Sequence, residues 1–376
     1  MRIAFDAKRL FCNSTGLGNY SRTLVRALAS QYPDNEYVLF TPRIRLPEQS
    51  APFRSLPGVR TVLPRGLVRG SLWRSYSLAA LVEREHCNVY HGLSHELPHD
   101  IRRSGARTVV TMHDVAWRTF PAMYKSYDRA IYDRKARHAC RVADAVVCIS
   151  EATARDVQQF YDVPREKLHV VYQPVQPHYY LPMEGAEVRR RLERMPMVPA
   201  DYLLYVGSVN SRKNLLGAVQ ALELLPPSVR IPLLVVGGGR EYKQKVEAYV
   251  AAHGLEQLVR FLPRVDDDLD LQALYTGACA FVYPSFYEGF GLPVVEAELC
   301  ATPVVMSTVS CLPEAAGPYA ETADPSSPEA IRDALLRLLD DDERRADLGR
   351  RAQDWAARTF STQRFAEQMM QVYHAQ

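Results

Sequence analysis

Short apolar runs alternate with segments of helical periodicity along the whole chain. The runs are strand-sized and rich in Val, Leu, Ile, Phe and Tyr. They read RIAF, EYVLF, NVYH, TVVTM, AVVCIS and LHVVY in the first half, then YLLYV, IPLLVV, LVRFL, CAFVYP and PVVMS in the second. This alternation predicts an α/β fold in which helices cross over between parallel strands.

A proline-rich segment at residues 172–202 separates the two sets of strands and is the predicted linker. We therefore expect two doubly wound domains, one over residues 1–175 and one over residues 176–355. A final helix is predicted over residues 353–376, and its part from about residue 356 is expected to pack back on the first domain. In such sheets, ligands bind outside the carboxyl ends of the strands.

The composition excludes several classes of protein. The longest apolar runs are far shorter than the ~18 residues that indicate a membrane span. Four charged residues in the opening "MRIAFDAKRL" argue against a secretory signal, so we expect a cytoplasmic protein. Seven scattered cysteines without a C-x-x-C pair favour neither a disulfide framework nor a zinc site.

Charge is distributed unevenly although the net charge is only +3. Residues 1–150 hold 23 Lys/Arg against 12 Asp/Glu, and the remainder holds 23 against 31. The basic stretch 54–76, with Arg54, Arg60, Arg65, Arg69 and Arg74, could rest on anionic lipid at the inner face of the cytoplasmic membrane. It could equally be a solvated loop and helix face. No nucleic-acid-binding motif accompanies the charge, so no nucleic-acid partner is expected.

Candidate chemistry in the second half centres on "YEGFGLPVVEAE", residues 287–298. Pro293 suits the first position of a helix, which leaves the backbone N–H groups of residues 289–292 to bind an anion such as a diphosphate. Glu296, expected in the first helical turn, could accept hydrogen bonds from ribose hydroxyls, and Glu288 from sugar hydroxyls. Alternatively, Glu296 only complements the helix dipole and Glu288 is a surface turn residue.

A second motif, "YVGSVNSRKNLLGAVQAL", places Gly207 after a strand and Arg212 and Lys213 before a helix. Adjacent cations at such a turn would neutralise a leaving diphosphate through charge-assisted hydrogen bonds. The alternative is a solvated pair of surface charges.

Three motifs in the first half also follow predicted strands. "GLG" at residues 16–18 could bring backbone close to a phosphate or sugar, or be a plain turn. "VVTMHDVAW" places His113 and Asp114 at a strand end, where the histidine could bind the transferred sugar or be a satisfied structural residue. "YHGLSHELP", with His91 and His95, is expected to line the acceptor side.

Together these motifs resemble the family-4 retaining glycosyltransferases of the GT-B fold, in which two Rossmann-like domains face a central cleft. The resemblance implies transfer of a hexose from a nucleotide-diphosphate sugar to a glycan or lipid-linked saccharide, with retention of anomeric configuration and without a metal or other cofactor. The segments "FDAKRL…TGLGNYSRTL" and "HGLSHELP" are similar to those of bacterial mannosyltransferase-like members of O-antigen, capsular or lipopolysaccharide synthesis. The resemblance therefore implies mannose from GDP-mannose as the donor.

The resemblance also implies residue roles. The residues implied in catalysis are His113, Arg212, Lys213 and Glu288. Those implied in donor binding are Gly16, Gly18, Gly207, Arg212, Lys213, Glu288, Gly289, Phe290, Gly291, Leu292 and Glu296. Asn19, His91, His95 and Asp114 would lie on the acceptor side.

Some alternatives remain open at the level of sequence. Pro263 and Arg264 stand where many members have glycine, which leaves the choice between guanine and uracil undecided. The acidic residues 266–270 contain a D-x-D pattern, for which a helix-capping loop is expected rather than a metal site. Glu288 could be a covalent nucleophile. The chain could also be an epimerase-like or hydrolase-like relative, or a catalytically silent nucleotide-sugar-binding module.

Overall fold

The computed structural model describes residues 1–64 and 70–375. The chain divides into two compact units. The N-terminal unit comprises Met1–Pro174 and Phe360–Gln376, and the C-terminal unit comprises Val175–Thr359. The division falls one residue before the boundary expected from the proline-rich linker, and each unit contains one parallel sheet.

The N-terminal unit is built on seven parallel strands. They are β1 (Arg2–Asp6), β2 (Glu36–Phe40), β3 (Val59–Val62), β4 (Val89–Gly92), β5 (Arg107–Met112), β6 (Ala145–Cys148) and β7 (Leu168–Val170). Its helices are α1 (Lys8–Cys12), α2 (Gly16–Gln31), α3 (Pro47–Ser55), α4 (Gly70–Tyr76), α5 (Leu78–Arg84), α6 (Ala116–Thr119), α7 (Ser126–Val142) and α8 (Glu151–Tyr161). The strand order is β3-β2-β1-β4-β5-β6-β7, so the order reverses between β1 and β4.

The C-terminal unit contains six parallel strands in the order β10-β9-β8-β11-β12-β13. They are β8 (Leu203–Val206), β9 (Leu233–Val236), β10 (Val259–Phe261), β11 (Ala280–Tyr283), β12 (Val304–Ser307) and β13 (Glu321–Ala323). Its helices are α9 (Gly185–Glu193), α10 (Leu215–Glu223), α11 (Glu241–Ala252), α12 (Asp268–Thr276), α13 (Leu292–Leu299), α14 (Leu312–Ala316), α15 (Pro328–Leu339) and α16 (Asp342–Thr359). The order reverses between β8 and β11, where ligands bind in open α/β sheets.

The central strands explain why the sequence pattern predicts these sheets. Residues of β6, β9 and β11 are buried on both faces, which a near-continuous apolar run indicates for a parallel sheet. The α/β prediction is therefore confirmed. The edge strands β3 and β13 were not predicted, because "VRTV" and "ETA" are short and mix polar with apolar residues.

The C-terminal end differs from the single helix expected over residues 353–376. α16 ends at Thr359, and a separate helix, α17 (Thr362–His374), begins after Ser361, whose side chain accepts a hydrogen bond from the Arg364 N–H. This cap explains the break, because an N-cap residue has non-helical dihedral angles. α17 belongs to the N-terminal unit, where Gln31 donates to the Thr362 carbonyl at 3.1 Å. None of the helices in the described ranges has the length and apolarity to cross a membrane.

Candidate functional site

The C-terminal unit brings the predicted cations to the carboxyl end of β8. Arg212 and Lys213 lie in the 3₁₀ turn Ser211–Lys213, which Asn210 caps by accepting a hydrogen bond from the Lys213 N–H at 3.2 Å. The next residue, Asn214, has a left-handed backbone (φ 53°) and caps α10 through its side chain. Because β8 is at the reversal of strand order, the turn holds both cations at the expected ligand-binding edge.

Glu288, after β11, joins the two cations in a buried ionic cluster. Its Oε1 lies 2.9 Å from Lys213 Nζ and its Oε2 lies 3.0 Å from Arg212 Nη1. The Tyr283 hydroxyl, which also accepts a hydrogen bond from Lys213 Nζ, is 3.0 Å from Oε1. Glu288 is only 8% exposed, so the surface-turn alternative is wrong. Lys213 is likewise buried and is no solvated surface charge.

Electrostatics keep this carboxylate ionised. Burial alone would raise the pKa of Glu288, but the adjacent Lys213 and Arg212 more than offset it, and the pKa lies below its usual range. We call Arg212, Lys213, Glu288 and Tyr283 the cation cluster. Two cations and one carboxylate leave it with an excess positive charge, which suits an anionic ligand.

Glycine at position 207 makes room for the lysine. A Cβ built on Gly207, whose φ is 150°, would lie 3.3 Å from Lys213 Cδ and 3.4 Å from Nζ. A Cβ on the neighbouring Gly237 would lie 1.8 Å from the Gly207 carbonyl oxygen. The structure therefore gives Gly207 a packing role beside Lys213, and its expected contact with a donor stays a prediction.

The turn between β11 and α13 differs from the sequence-based expectation by one residue. Gly291 has φ 97° and is the N-cap of α13, so the helix begins at Leu292 and Pro293 is its second residue. Glu296 is the fifth helical residue and lies beyond the first turn, contrary to expectation. The dipole explanation of Glu296 weakens accordingly, because the dipole effect falls off within the first turn.

Glu296 is partly buried and accepts a hydrogen bond from the Tyr275 hydroxyl at 3.0 Å. Burial raises its pKa to about 7, although the Tyr275 hydrogen bond opposes the shift. The hydrogen bond fixes the carboxyl group in place. Its proposed contact with a ribose remains a prediction.

Three residues of this site were missed by sequence reasoning. Tyr283 and Tyr275 hold the two glutamates, and Ser310 holds the backbone of Glu288. The Ser310 hydroxyl accepts from the Glu288 N–H at 3.2 Å and donates to the Glu288 carbonyl at 2.8 Å, with a left-handed backbone at φ 62°. The only signal was the position of Tyr283 at the end of an apolar strand, while nothing in the sequence distinguishes Ser310.

The N-terminal unit has a pocket of about 460 Å³ at the carboxyl ends of β1, β4 and β5. Its lining combines charged and polar groups with aromatic rings. It is lined by Lys8, Arg9, Leu17, Ser94, His95, Glu96, His113, Asp114, Trp117, Tyr124, Tyr132 and Lys135. The pocket thus brings together the predicted His95, His113 and Asp114, and we call it the β1/β4 pocket.

Hydrogen bonds fix the tautomers of the two pocket histidines. His113 Nε2 lies 2.9 Å from the Leu93 carbonyl, which can only accept, so Nε2 carries the proton and Nδ1 is an acceptor. His95 Nε2 accepts from the His113 N–H at 3.0 Å, so its proton is on Nδ1. Burial lowers the pKa of His113 to about 3 and that of His95 to about 4. Both rings are therefore neutral near pH 7.

Other residues expected on the acceptor side lie elsewhere. His91 is fully buried, with Nδ1 2.7 Å from the Tyr373 hydroxyl and Nε2 2.8 Å from the Thr111 hydroxyl. It is a core residue, because its ring has no exposed surface and it does not line the pocket. Asn19 accepts a hydrogen bond from Arg22 at 2.5 Å on α2 and does not line the pocket.

The glycines of "GLG" form the first turn of α2 itself, which begins at Gly16. A Cβ on Gly18 would lie 1.8 Å from the Asn13 carbonyl oxygen, so close packing of the preceding loop requires this glycine. Nothing lies within 4 Å of a Cβ on Gly16. A contact of either glycine with phosphate stays a prediction.

The acidic segment 266–270 caps a helix, as expected. The Asp267 side chain accepts from the Leu269 N–H at 2.8 Å at the start of α12. Arg191 Nη1 lies 3.1 Å from Asp267 and 2.5 Å from Asp270. Across residues 1–64 and 70–375, no cluster of three or more His, Cys, Asp or Glu side chains is arranged to hold a metal ion.

The basic stretch 54–76 is only partly available for membrane contact. Arg74 is buried, bonded to Asp6 and Glu96, and cannot reach a lipid surface. Arg60 pairs with Glu85. Arg65 and Arg69 lie outside the described residues.

Comparisons with known proteins agree with this architecture. The family model "Glycosyltransferase Family 4" matches residues 14–179, and "Glycosyl transferases group 1" matches residues 198–355. O-antigen chain mannosyltransferase B of Escherichia coli is 33% identical over 355 residues, covering 91% of each chain. A D-inositol 3-phosphate glycosyltransferase of Corynebacterium glutamicum (strain R) is 31% identical over 273 residues, which is 68% of this chain and 65% of the relative.

Solved structures show the same fold at lower sequence identity. HepE of Anabaena, in complex with UDP and glucose, aligns with a TM-score of 0.74 at 17% identity over 100% of this chain and 99% of its own. WaaG, a glycosyltransferase involved in lipopolysaccharide biosynthesis, aligns with a TM-score of 0.69 at 17% identity over all of both chains. With two parallel-sheet α/β units and a relative that matches along nearly its whole length, the chain belongs to the family-4 glycosyltransferases of the GT-B fold.

Proposed function

We propose that this glycosyltransferase moves mannose from GDP-mannose to a glycan or lipid-linked saccharide in cell-surface polysaccharide synthesis, with retention of configuration and without a metal. The cation cluster at the reversal of strand order in the C-terminal unit carries the proposal, because it offers paired cations to a diphosphate at the expected ligand edge. The choice of mannose is supported by the similarity to O-antigen chain mannosyltransferase B of Escherichia coli.

In the proposed reaction, Arg212 and Lys213 hold the diphosphate of the donor. The bond between the anomeric carbon and the phosphate oxygen breaks, and negative charge grows on the leaving diphosphate. Fixed cations stabilise that charge more in the transition state than in the ground state, which raises kcat. The acceptor oxygen forms a new bond to the anomeric carbon on the face that the diphosphate leaves, and its proton passes to the leaving phosphate oxygen. Because the new bond forms on the same face as the broken one, the configuration is retained.

Glu288 serves better as an orienting group than as a nucleophile. Each of its oxygens already faces a cation, and Oε1 also faces the Tyr283 hydroxyl. Hydrogen bonds and ion pairs to a carboxylate stabilise its charge and lower its reactivity toward carbon. We propose that Glu288 aligns the two cations and binds donor-sugar hydroxyls, while Glu296 binds the ribose.

His113 is proposed to bind a hydroxyl of the transferred sugar. Its Nδ1 is an acceptor because Nε2–H donates to the Leu93 carbonyl. A neutral ring with a pKa of about 3 is a poor general acid at neutral pH, so we assign it positioning of the sugar.

The experiment is a panel of GDP- and UDP-sugars assayed with a lipid-linked glycan acceptor, with and without EDTA, and with the anomeric configuration of the product determined by NMR. We expect turnover of one donor, unaffected by EDTA, with retained configuration. An inverted product would refute the proposed retention of configuration. Loss of turnover in EDTA that added metal restores would refute the proposed independence from metal. Turnover of donor without acceptor would favour a hydrolase-like or epimerase-like relative, and nucleotide binding without any turnover would favour a silent module.

A further inference from the structure

Two cations of the β1/β4 pocket lack a carboxylate partner. Lys8 and Arg9 directly follow β1 and line the pocket. Arg9 Nε donates to the Ser94 hydroxyl at 3.3 Å, but neither side chain forms an ion pair within residues 1–64 and 70–375. Partly buried cations without counterions carry a desolvation cost that an anionic ligand would offset.

Two of the nearby carboxylates, Glu96 and Asp6, are already bound to other cations, and Asp114 Oδ1 accepts a hydrogen bond from the Ala116 N–H at 3.1 Å. Glu96 lies 2.6 Å from Arg74 Nη2 and 2.7 Å from Lys135 Nζ, and Arg74 also pairs with Asp6. Burial and the adjacent Arg74 and Arg9 lower the pKa of Lys8. Glu96 and Asp6 oppose this shift in pKa, but neither forms an ion pair with Lys8 or Arg9. The lining holds three cations, Lys8, Arg9 and Lys135, against the two carboxylates Glu96 and Asp114, so it keeps an excess positive charge.

The rest of the pocket is suited to a sugar. Trp117 and Tyr132 lie with ring centroids 5.8 Å apart, and Tyr124 lies 6.3 Å from Tyr132. Aromatic rings give an apolar surface for the C–H face of a sugar ring. Trp117 offers only its ring, because its Nε1–H donates to the Tyr161 hydroxyl at 3.0 Å. A volume of about 460 Å³ is within the range of small-molecule sites.

The position of the pocket agrees with ligand binding. It lies at the carboxyl ends of β1 and β4, where the strand order of this sheet reverses. In this unit, the edge of the sheet that favours ligands thus carries two cations without an ion pair among the described residues, Lys8 and Arg9, in the same pocket as aromatic side chains.

We propose that the β1/β4 pocket binds the acceptor and that Lys8 and Arg9 bind a phosphate group on it, so that the acceptor is a phosphorylated saccharide. This inference rests on the proposed glycosyl transfer and names the chemical class of its acceptor. The phosphate of the acceptor and the diphosphate of the donor share the same chemistry, so the test must distinguish these two sources.

Equilibrium binding tests the inference without requiring turnover, so failure of the proposed transfer reaction would not affect the result. The probes are the 1-phosphates of mannose, glucose and N-acetylglucosamine, their methyl glycosides as neutral matches, and GDP and UDP for the donor side. The variants are Lys8→Gln and Arg9→Gln. Arg134→Gln, an exposed cation on α7, is the matched control. Circular dichroism checks that each variant is folded.

We expect at least one sugar phosphate to bind the parent protein about tenfold or more tightly than its glycoside, because charge-assisted hydrogen bonds add affinity. Each pocket variant should remove most of that preference, leave glycoside and nucleotide binding unchanged, and differ from the control. The inference is overturned if no sugar phosphate binds more tightly than its methyl glycoside. It is also overturned if the pocket variants weaken the binding of sugar phosphates and glycosides by the same factor. Weaker nucleotide binding would instead assign Lys8 and Arg9 to the donor diphosphate.

Discussion

Glu298 should make the stability of the C-terminal unit depend on pH. Its side chain is fully buried in α13, and neither carboxyl oxygen has a hydrogen-bond partner within the described part of the chain. Burial raises its pKa well above the usual value, so the folded protein keeps Glu298 protonated to a higher pH than the unfolded chain does. The unfolded chain ionises this residue near pH ~4.3.

The sign of the effect follows from proton linkage. Between the unfolded and the folded pKa, the folded state binds one proton more, so stability is greatest in acid and falls as pH rises. The loss is about 1.4 kcal/mol per pH unit. Glu298→Met removes the titrating group at similar volume. The free energy of unfolding of Glu298→Met should therefore exceed that of the parent by about 1.4 kcal/mol more for each pH unit. For a structural unit of this size, that difference corresponds to roughly 3–6 °C in Tm.

Calorimetric Tm values at pH 5.5, 6.5 and 7.5 test this reasoning. Glu298→Gln should share the pH dependence of Glu298→Met, because it also removes the titration. Glu256→Gln, at an exposed glutamate of the same unit, should track the parent at every pH. A difference between Glu298→Met and parent that stays constant across the three pH values would refute the assignment of a protonated, buried Glu298.

Two further predictions concern the backbone and the pocket. Ala301 occupies the left-handed position (φ 56°) after α13, where its N–H bonds to the Glu298 carbonyl, so Ala301→Gly should raise Tm by about 2–4 °C, corresponding to about 1 kcal/mol. An unchanged or lower Tm would contradict the strain argument. Because the pKa of His113 is about 3, kcat/KM should show no ionisation of this residue between pH 5 and 8, and His113→Asn, which retains an acceptor, should keep more activity than His113→Leu. A change in kcat/KM near pH 6.5 that is present in the parent and absent from both variants would show that His113 titrates during the reaction.

Much of the fold could be predicted from sequence because strands and helices each leave a regular pattern of apolar and polar residues. Buried parallel strands give continuous apolar runs, and the carboxyl ends of neighbouring strands meet at one edge, which is why Arg212, Lys213 and Glu288 could be expected together. The break near Phe360 was missed because a single capping residue, Ser361, decides it.

Side-chain orientation and long-range contacts could not be predicted in the same way. His91 and His95 belong to one motif, yet one is a core residue and the other lines the β1/β4 pocket, since a shift of a few residues changes the direction of a side chain. Ser310 contacts Glu288 across 22 residues of chain. Such a contact depends on how a crossover helix returns to the sheet, and a single sequence does not encode that in any local pattern.

The central claim is that the cation cluster stabilises the leaving diphosphate, and single-turnover transfer from the active donor tests it most directly. Arg212→Ala and Lys213→Ala should each lower the rate of the chemical step about tenfold or more, corresponding to at least about 1.4 kcal/mol, with a smaller effect on donor Kd. Lys245→Ala, an exposed cation of the same unit, is the control and should leave both quantities unchanged. A parent-like rate of the chemical step in either cluster variant would contradict the account.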